Sequence, residues 1–310
     1  MVRVRKLPYW SWPSELRRNG IMGINSRNIN LIFPLNPRSN YAMVDNKALT
    51  KKLCESRLIP APKTYALIQR FGDIKKSIDL LFSLPGFVIK PTRGAGGRGI
   101  LVIADRKNNE FQNAKGEMFS LEQIKYHIST ILSGLYSLSG QPDQAMIEKL
   151  IEPHPAFKEL TVAGTPDIRI VLYKTSPIMG MLRLPTKASR GRANLHQGAV
   201  GVGIDLETGI TCGGVWRDRS FDIHPDTGAS INGVMILNWT NVLKTAIRLS
   251  RAIGLQYVGV DILLDSEGGP LVLEANARPG LSIQIANRYG IWPRLNEINI
   301  KQGLSRVRHI

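Results

Sequence analysis

Apolar residues fall along the chain in two rhythms, short strand-like runs and longer segments of helical period. The opening stretch is the exception: "GINSRNINLIFPLNPRSN" is rich in Asn, Arg and Pro and has only "LIF" to pack, so residues 1–44 predict an arm or cap. In "DNKALTKKLCESRLIPAPKTYAL" a helix is expected over about Lys47 to Arg57, stopped at "IPAP" because proline favours extended chain. A strand, "GFVIKP", enters the glycine-rich "TRGAGGRG", and a second, "GILVIA", leaves it. That order differs from the strand, glycine loop and helix of a dinucleotide fold, and the spacing GxxxxGK[ST] is missing. Leu121 to Leu138 has helical spacing, and "AMIEKLI" reads as a strand with a carboxylate in its middle.

Further on, "DIRIVLY" and "PIMGMLRLP" predict antiparallel neighbours, and "TNVLKTAIRLSRAIG" a helix that ends at Gly254. "YVGVDILLD" and "GPLVLEANARPG" are joined by the turn "SEGG". Antiparallel sheets interspersed with helices make the expected class α+β.

Composition changes this picture little. Of the 310 residues 43% are hydrophobic, enough for sizeable cores, and no apolar window is long enough for a membrane span or signal peptide, so a cytoplasmic protein without a membrane partner is expected. Two cysteines provide neither a disulfide framework nor a metal quartet. The net charge of +17 raises nucleic acid as a partner, but the charge is dispersed among glycines, carboxylates and strand-like segments. Small anionic ligands are favoured over nucleic acid, which stays open.

The sharpest chemical signal is Asp261, Glu274 and Asn276. A hairpin at "SEGG" brings positions about thirteen apart side by side, and Glu274 and Asn276, two apart on a strand, share a face. Two carboxylates and an amide oxygen suit Mg²⁺; the competing reading is a solvated sheet face. Lys90, at the end of "FVIK", reaches towards phosphate oxygens, and the glycines after it let backbone N–H groups approach them. Alone, the loop reads equally as a surface turn. "MIEKLI" supplies a backbone edge for an adenine ring. Cys54 lies in a helix with no histidine nearby in sequence, and no nucleophilic triad emerges.

Together these stretches, with "DIRIVLY", "MLRLP" and "ANLHQGAVGVGIDLETG", resemble the ATP-grasp superfamily and its RimK-like amino-acid ligases, most of all a group described as alpha-L-glutamate ligase-related proteins. The likeness runs from about Gly23 to Gly290. It implies two α+β lobes holding ATP between them: residues 45–145 with the phosphate loop, and 146–310 with the adenine hinge and metal site. It implies Lys90, with Lys47 or Lys51, on the nucleotide phosphates; Gly94, Gly96, Gly97 and Gly99 in the loop; and Glu148, Lys149, Leu150 and Ile151 as the hinge. Asp261, Glu274 and Asn276 match the family's ligands for Mg²⁺, two ions, with Mn²⁺ as an alternative. Lys90, Arg169, Arg183 and Arg278 are the expected catalytic residues, and Arg183, Arg190, Arg192, Asn194, His196 and Arg278 the expected substrate contacts. For His196 a polar loop network competes with substrate contact and general-base work.

Such enzymes carry a full α/β domain before the grasp lobes, whereas here about 40 residues precede Asp45. The expected activity is ATP-dependent ligation of a carboxylate to an amine, with release of ADP and phosphate. Its partners would be a small amino acid and a carboxylate-bearing molecule or peptide, acidic in character. Another ATP-grasp synthetase or kinase, and a basic nucleotide-binding module without ligase activity, are the alternatives. Oligomeric state is not legible in the sequence.

Overall fold

The computed structural model describes residues 12–301 and 303, apart from 95, 138–139, 163 and 218; residues 1–11 of the expected arm lie outside it. In chain order its strands are β1 (Thr64–Ile68), β2 (Phe87–Pro91), β3 (Leu101–Ile103), β4 (Asp105–Lys107), β5 (Glu110–Gln112), β6 (Met118–Phe119), β7 (Ala145–Lys149), β8 (Asp167–Tyr173), β9 (Ser176–Leu184), β10 (Val200–Ile204), β11 (Thr211–Trp216), β12 (Arg219–Phe221), β13 (Tyr257–Leu264) and β14 (Pro270–Asn276). They form one sheet in the order β1-β7-β2-β3, a larger one in the order β12-β11-β10-β9-β8-β13-β14, and a small one of β4-β5-β6. Every pairing is antiparallel, as the α+β expectation requires.

Alternation along β8 shows how the large sheet is covered. Ile168, Ile170 and Leu172 face a core with Val242, Ala246, Leu249 and Ile253 of the helix Trp239–Ile253. Val171 and Tyr173 face the opposite core, made with Met22, Leu31 and Ile32 of the arm and with Ile291, Trp292 and Leu295 of the helix Ile291–Lys301. The period of two along the strand thus feeds two cores. The arm is built of short helical turns and is pinned by buried Asn36, which donates to the carbonyls of Tyr257 (2.7 Å) and Ala277 (3.2 Å) and accepts from Tyr257 N–H (3.0 Å). It covers the second lobe.

Two lobe assignments shift with the pairing. The division expected at 145/146 falls at the start of β7, which pairs with β1 and β2, so residues 146–149 belong with the first sheet. The helix Lys47–Ser56, expected in the first lobe, buries Cys54 in the core of the large sheet and lies along β14. Ile59 packs in the same core and Pro60 O accepts from Val272 N–H, so the chain crosses to the first sheet between Pro60 and β1.

Helix ends follow local chemistry. Ser120 and Gln123 form a capping box at the start of Leu121–Leu132. The helix is expected to reach Leu138, but it stops at Leu132 because Gly134 takes φ +86° beneath the Gln141 carbonyl, which a Cβ would overlap. Gly134→Ala should therefore lose about 2 kcal/mol or more in urea unfolding. Gly140→Ala, at φ +65° with open space around its Cα, should lose about 1 kcal/mol. Equal losses would show that the close approach at Gly134 contributes nothing.

Candidate active site

Lys90 is the penultimate residue of β2, and Glu148 lies on the neighbouring β7. The Glu148 carboxylate is buried; its Oε2 meets Lys90 Nζ, and its Oε1 stands 3.3 Å from Lys51 Nζ. Burial pushes this carboxyl's pKa up, but the two ammonium groups outweigh it and hold the pKa below the usual range. Lys51 moves the other way, to about 8, through burial first and then the repulsion of Lys90.

After β2 the chain enters the glycine loop. Gly96, Gly97 and Gly99 all have positive φ, which only glycine adopts without strain. The loop touches the second lobe: Gln197 Nε2 donates to Gly96 O (2.7 Å), Arg192 Nη1 donates to Gln197 Oε1 (3.2 Å), and a Cβ on Gly97 would press on the Arg192 side chain. Lys47 makes a second bridge, since its Nζ donates to Gly94 O (2.6 Å) and stands 3.4 Å from Glu274 Oε2. Of the two candidate lysines, Lys47 meets the loop and Lys51 is buried behind it.

The large sheet carries a row of charge across four strands. Register sets Glu274 opposite Asp261, Asp261 opposite Arg169, and Asp167 opposite Arg183. Arg169 chelates Asp261 through Nε (2.7 Å) and Nη2 (2.6 Å). Arg183 pairs Nε and Nη2 with Asp167 and also donates from Nη2 to Asp261 Oδ2 (2.7 Å). Burial favours the neutral acid in both aspartates. At Asp261 two guanidiniums overcome it and hold the pKa well below the carboxylate range, whereas Asp167, paired to Arg183 alone, is pushed up to about 6.

Asp261, Glu274 and Asn276 do converge, with Asn276 Nδ2 at 3.5 Å from Asp261 Oδ2 and 3.4 Å from Glu274 Oε1. Among the described residues no three His, Cys, Asp or Glu side chains gather around a common point, so the candidate metal set is two carboxylates and an amide. Its chemistry fits a hard divalent cation: Glu274 is 33% exposed towards the cleft, and an amide N–H and the Lys47 ammonium sit between or beside carboxylates where positive charge is called for.

Other expected residues are placed differently. Arg183, expected on substrate, has Nε and Nη2 committed to two buried carboxylates, and Arg169 is likewise held on Asp261. β7 lies inside its sheet and Lys149 N–H donates to Lys63 O (2.9 Å), while Leu150 and Ile151 lie beyond the strand. Asn194 Oδ1 accepts from the His196 backbone N–H (3.0 Å), capping a short turn, with the His196 side chain exposed. Arg190 is exposed, and exposed Arg278 stacks on Tyr41 at 4.8 Å. Asp167 and Gln197 escaped the sequence; the one signal for Asp167 is its place two before Arg169, on the same strand face.

Two antiparallel sheets bridged by lysines, with a glycine loop on one and a carboxylate hairpin on the other, define an ATP-grasp protein. Residues 26–300 match the family described as sugar-transfer associated ATP-grasp, and the chain belongs to that family. Among curated relatives, a probable alpha-L-glutamate ligase of Azotobacter vinelandii is 26% identical over 281 residues, covering 89% of this chain and 71% of its own length. Another from Pseudomonas entomophila is 26% identical over 250 residues, covering 81% and 61%. The expected likeness to glutamate ligase-related proteins is met in these matches, although the chain spans under two thirds of the second. Of solved structures, the ATP-grasp ligase PsnB with a minimal precursor is similar at 15% identity and TM-score 0.47, covering 87% of this chain and 63% of that one. A D-alanine–D-alanine ligase from Bacillus anthracis with ATP is similar at 15% and 0.45, covering 78% and 57%. No helix among the described residues is long and apolar enough to cross a membrane.

Because Arg183 compensates two buried carboxylates, Arg183→Met should cost about 3–5 kcal/mol in urea unfolding at pH 8. In the wild type the folded-state pKa of Asp167, about 6, lies above its unfolded value, so its contribution to stability is present in acid and is lost as pH rises through about 6. Without Arg183 that carboxyl becomes harder still to ionise, and the variant's deficit should shrink at pH 5, where Asp167 is protonated. A deficit independent of pH would show that Asp167 is not the group left uncompensated.

Proposed function

We propose that the protein is an ATP-dependent carboxylate–amine ligase working through an acyl phosphate. The observation that carries this reading is Lys47, whose single ammonium touches both the glycine loop and Glu274, so phosphate-binding and metal-binding elements face one cleft. In the first step a carboxylate oxygen attacks the γ-phosphorus of ATP, the bond to the bridging oxygen breaks, and ADP leaves. In the second the amine nitrogen attacks the acyl carbon, loses a proton, and phosphate departs. Lys90 and the loop N–H groups neutralise charge on the transferring phosphoryl group. Glu274 and Asn276, with Asp261 behind them, would hold Mg²⁺, which when bound screens the phosphate oxygens. Arg169 and Arg183 keep Asp261 ionised and oriented. Exposed Arg278, two residues beyond Asn276, is the guanidinium that meets substrate.

The second substrate has a place on the other side of Gln197. A cavity of about 460 Å³ is lined by Leu195, His196, Gln197, Arg217, Ser282 and Ile285 among others, and Gln197 also bonds to the loop. Arg217 in its wall, with Arg190 and Arg192 on the preceding segment, favours an acidic partner such as glutamate or a carboxylate-rich peptide. The names of the curated relatives support glutamate.

Amino acids and short peptides supplied with Mg²⁺ and ATP should yield ADP, phosphate and a product whose mass is the sum of both partners less water. AMP and pyrophosphate, or a stable phosphorylated product, would instead assign another ATP-grasp reaction. Arg217→Ala should raise KM for the acidic partner about tenfold, the loss of one charge-assisted contact, and leave KM for ATP unchanged. Glu274→Gln should fold and lose about 10²-fold or more in turnover; near-normal turnover at limiting Mg²⁺ would remove Glu274 from the metal site.

A further inference from the structure

Lys51 takes no part in the chemistry just described, yet it is among the most enclosed charges in the molecule, its side chain 5% exposed. Three elements meet at its ammonium. The helix Lys47–Ser56 carries it, β14 offers the Val272 carbonyl at 2.8 Å, and β7 offers Glu148 Oε1 at 3.3 Å. Val272 lies two residues before Glu274 on the candidate metal strand, and the other oxygen of Glu148 holds Lys90. A continuous polar path therefore leads from the metal strand, through Lys51 and Glu148, to the lysine that faces phosphate.

Burying an ammonium for packing alone is unfavourable compared with a methionine of similar length, and here the burial is offset by one carbonyl and one shared carboxylate. Glu148 Oε1 has no aligned hydrogen-bond donor, so Lys51 is its compensating charge. The carboxylate divides its pull between two ammonium groups. Were Lys51 absent, the whole charge of Glu148 would act on Lys90 and hold it as a closed ion pair, less able to turn towards a polyanion.

We infer that Lys51 is a positioning residue that acts through Glu148 to set Lys90 against the metal strand, without touching the nucleotide itself. This rests on the ATP-binding part of the proposed function. A pH signature follows from the groups around it: Glu148 on β7, Lys90 on β2, Cys54 on its own helix, and the Val272 carbonyl on β14. Cys54 stays a neutral thiol because burial raises its pKa. Lys51, lowered by burial and by Lys90 to about 8, loses its charge as pH rises through that value. ATP affinity should fall over the same interval.

The experiment is calorimetric titration of the full chain with Mg²⁺ and ATP, for wild type, Lys51→Met, Lys51→Arg, Glu148→Gln and the Lys51→Met/Glu148→Gln double variant, from neutral pH into the alkaline range. Lys51→Met should bind ATP about tenfold or more weakly at neutral pH, a loss the size of one charged contact. Lys51→Arg should retain most of the affinity, and the double variant should recover much of what Lys51→Met loses, because the carboxylate that traps Lys90 is gone. The alkaline fall seen in wild type should vanish in Lys51→Met. If Lys51→Met does not fold, the double variant compared with Glu148→Gln alone should bind equally well and lack the alkaline fall. Wild-type affinity and an unchanged pH profile in Lys51→Met, with or without a lowered Tm, would overturn the inference. Failure of the wild type to bind ATP would instead remove the functional reading, and the inference with it.

Discussion

The second lobe is organised around one buried charge. Asp261 has 1% of its surface exposed, on the strand next to the border of a seven-stranded sheet, where an isolated carboxylate could not remain ionised. Arg169 and Arg183 make that possible, each reaching it from a strand whose register is set by the same pairs. A slip of one residue in any of these strands would send the charged row into the core beneath the helix Trp239–Ile253 and bring Ile168 and Ile170 to the cleft. Electrostatics and hydrophobic alternation thus specify one register, and that register delivers Glu274 and Asn276 to the cleft.

The charged groups around the cleft are already paired with one another. Asp167, Asp261 and Glu274 face Arg169, Arg183 and Lys47, while Glu148 faces Lys51 and Lys90. On the proposed function, a polyanion with its cation would exchange partners with groups already held in place, so that little of the reorganisation that makes charge stabilisation weak in water is needed. The two lysines on one helix, a turn apart, divide the work: Lys47 meets the cleft, and Lys51 lies one layer below.

Much of this was legible because strands carry their own geometry. The hairpin at "SEGG" gave Asp261 opposite Glu274 from spacing alone, and the positive-φ glycines after Lys90 marked a loop that closely approaches other groups. What stayed hidden involved partners distant in sequence. Arg183 looks like a substrate arginine until Asp167 and Asp261 are seen to use it, and the pairing of Glu148 with Lys51 and Lys90 joins three elements that are far apart along the chain. Lobe limits failed for the same reason: strand order and helix packing are long-range, so β7 and the helix Lys47–Ser56 each joined the sheet opposite to the one that chain order suggests.

The contacts along β14 have a consequence for the protein outside its chemistry. β14 is the last strand of the large sheet, and a terminal strand offers unpaired backbone groups to any other extended chain. Here Val272 N–H donates to the Pro60 carbonyl and its own carbonyl accepts from Lys51, so the segment that carries the chain between the sheets also covers this border. Partial detachment of that segment, during synthesis or under mild denaturant, would expose a row of apolar residues ready to add strands from neighbouring copies. The helix that carries Lys47 and Lys51, with the Pro60 segment after it, thus also serves as the cover of this sheet border.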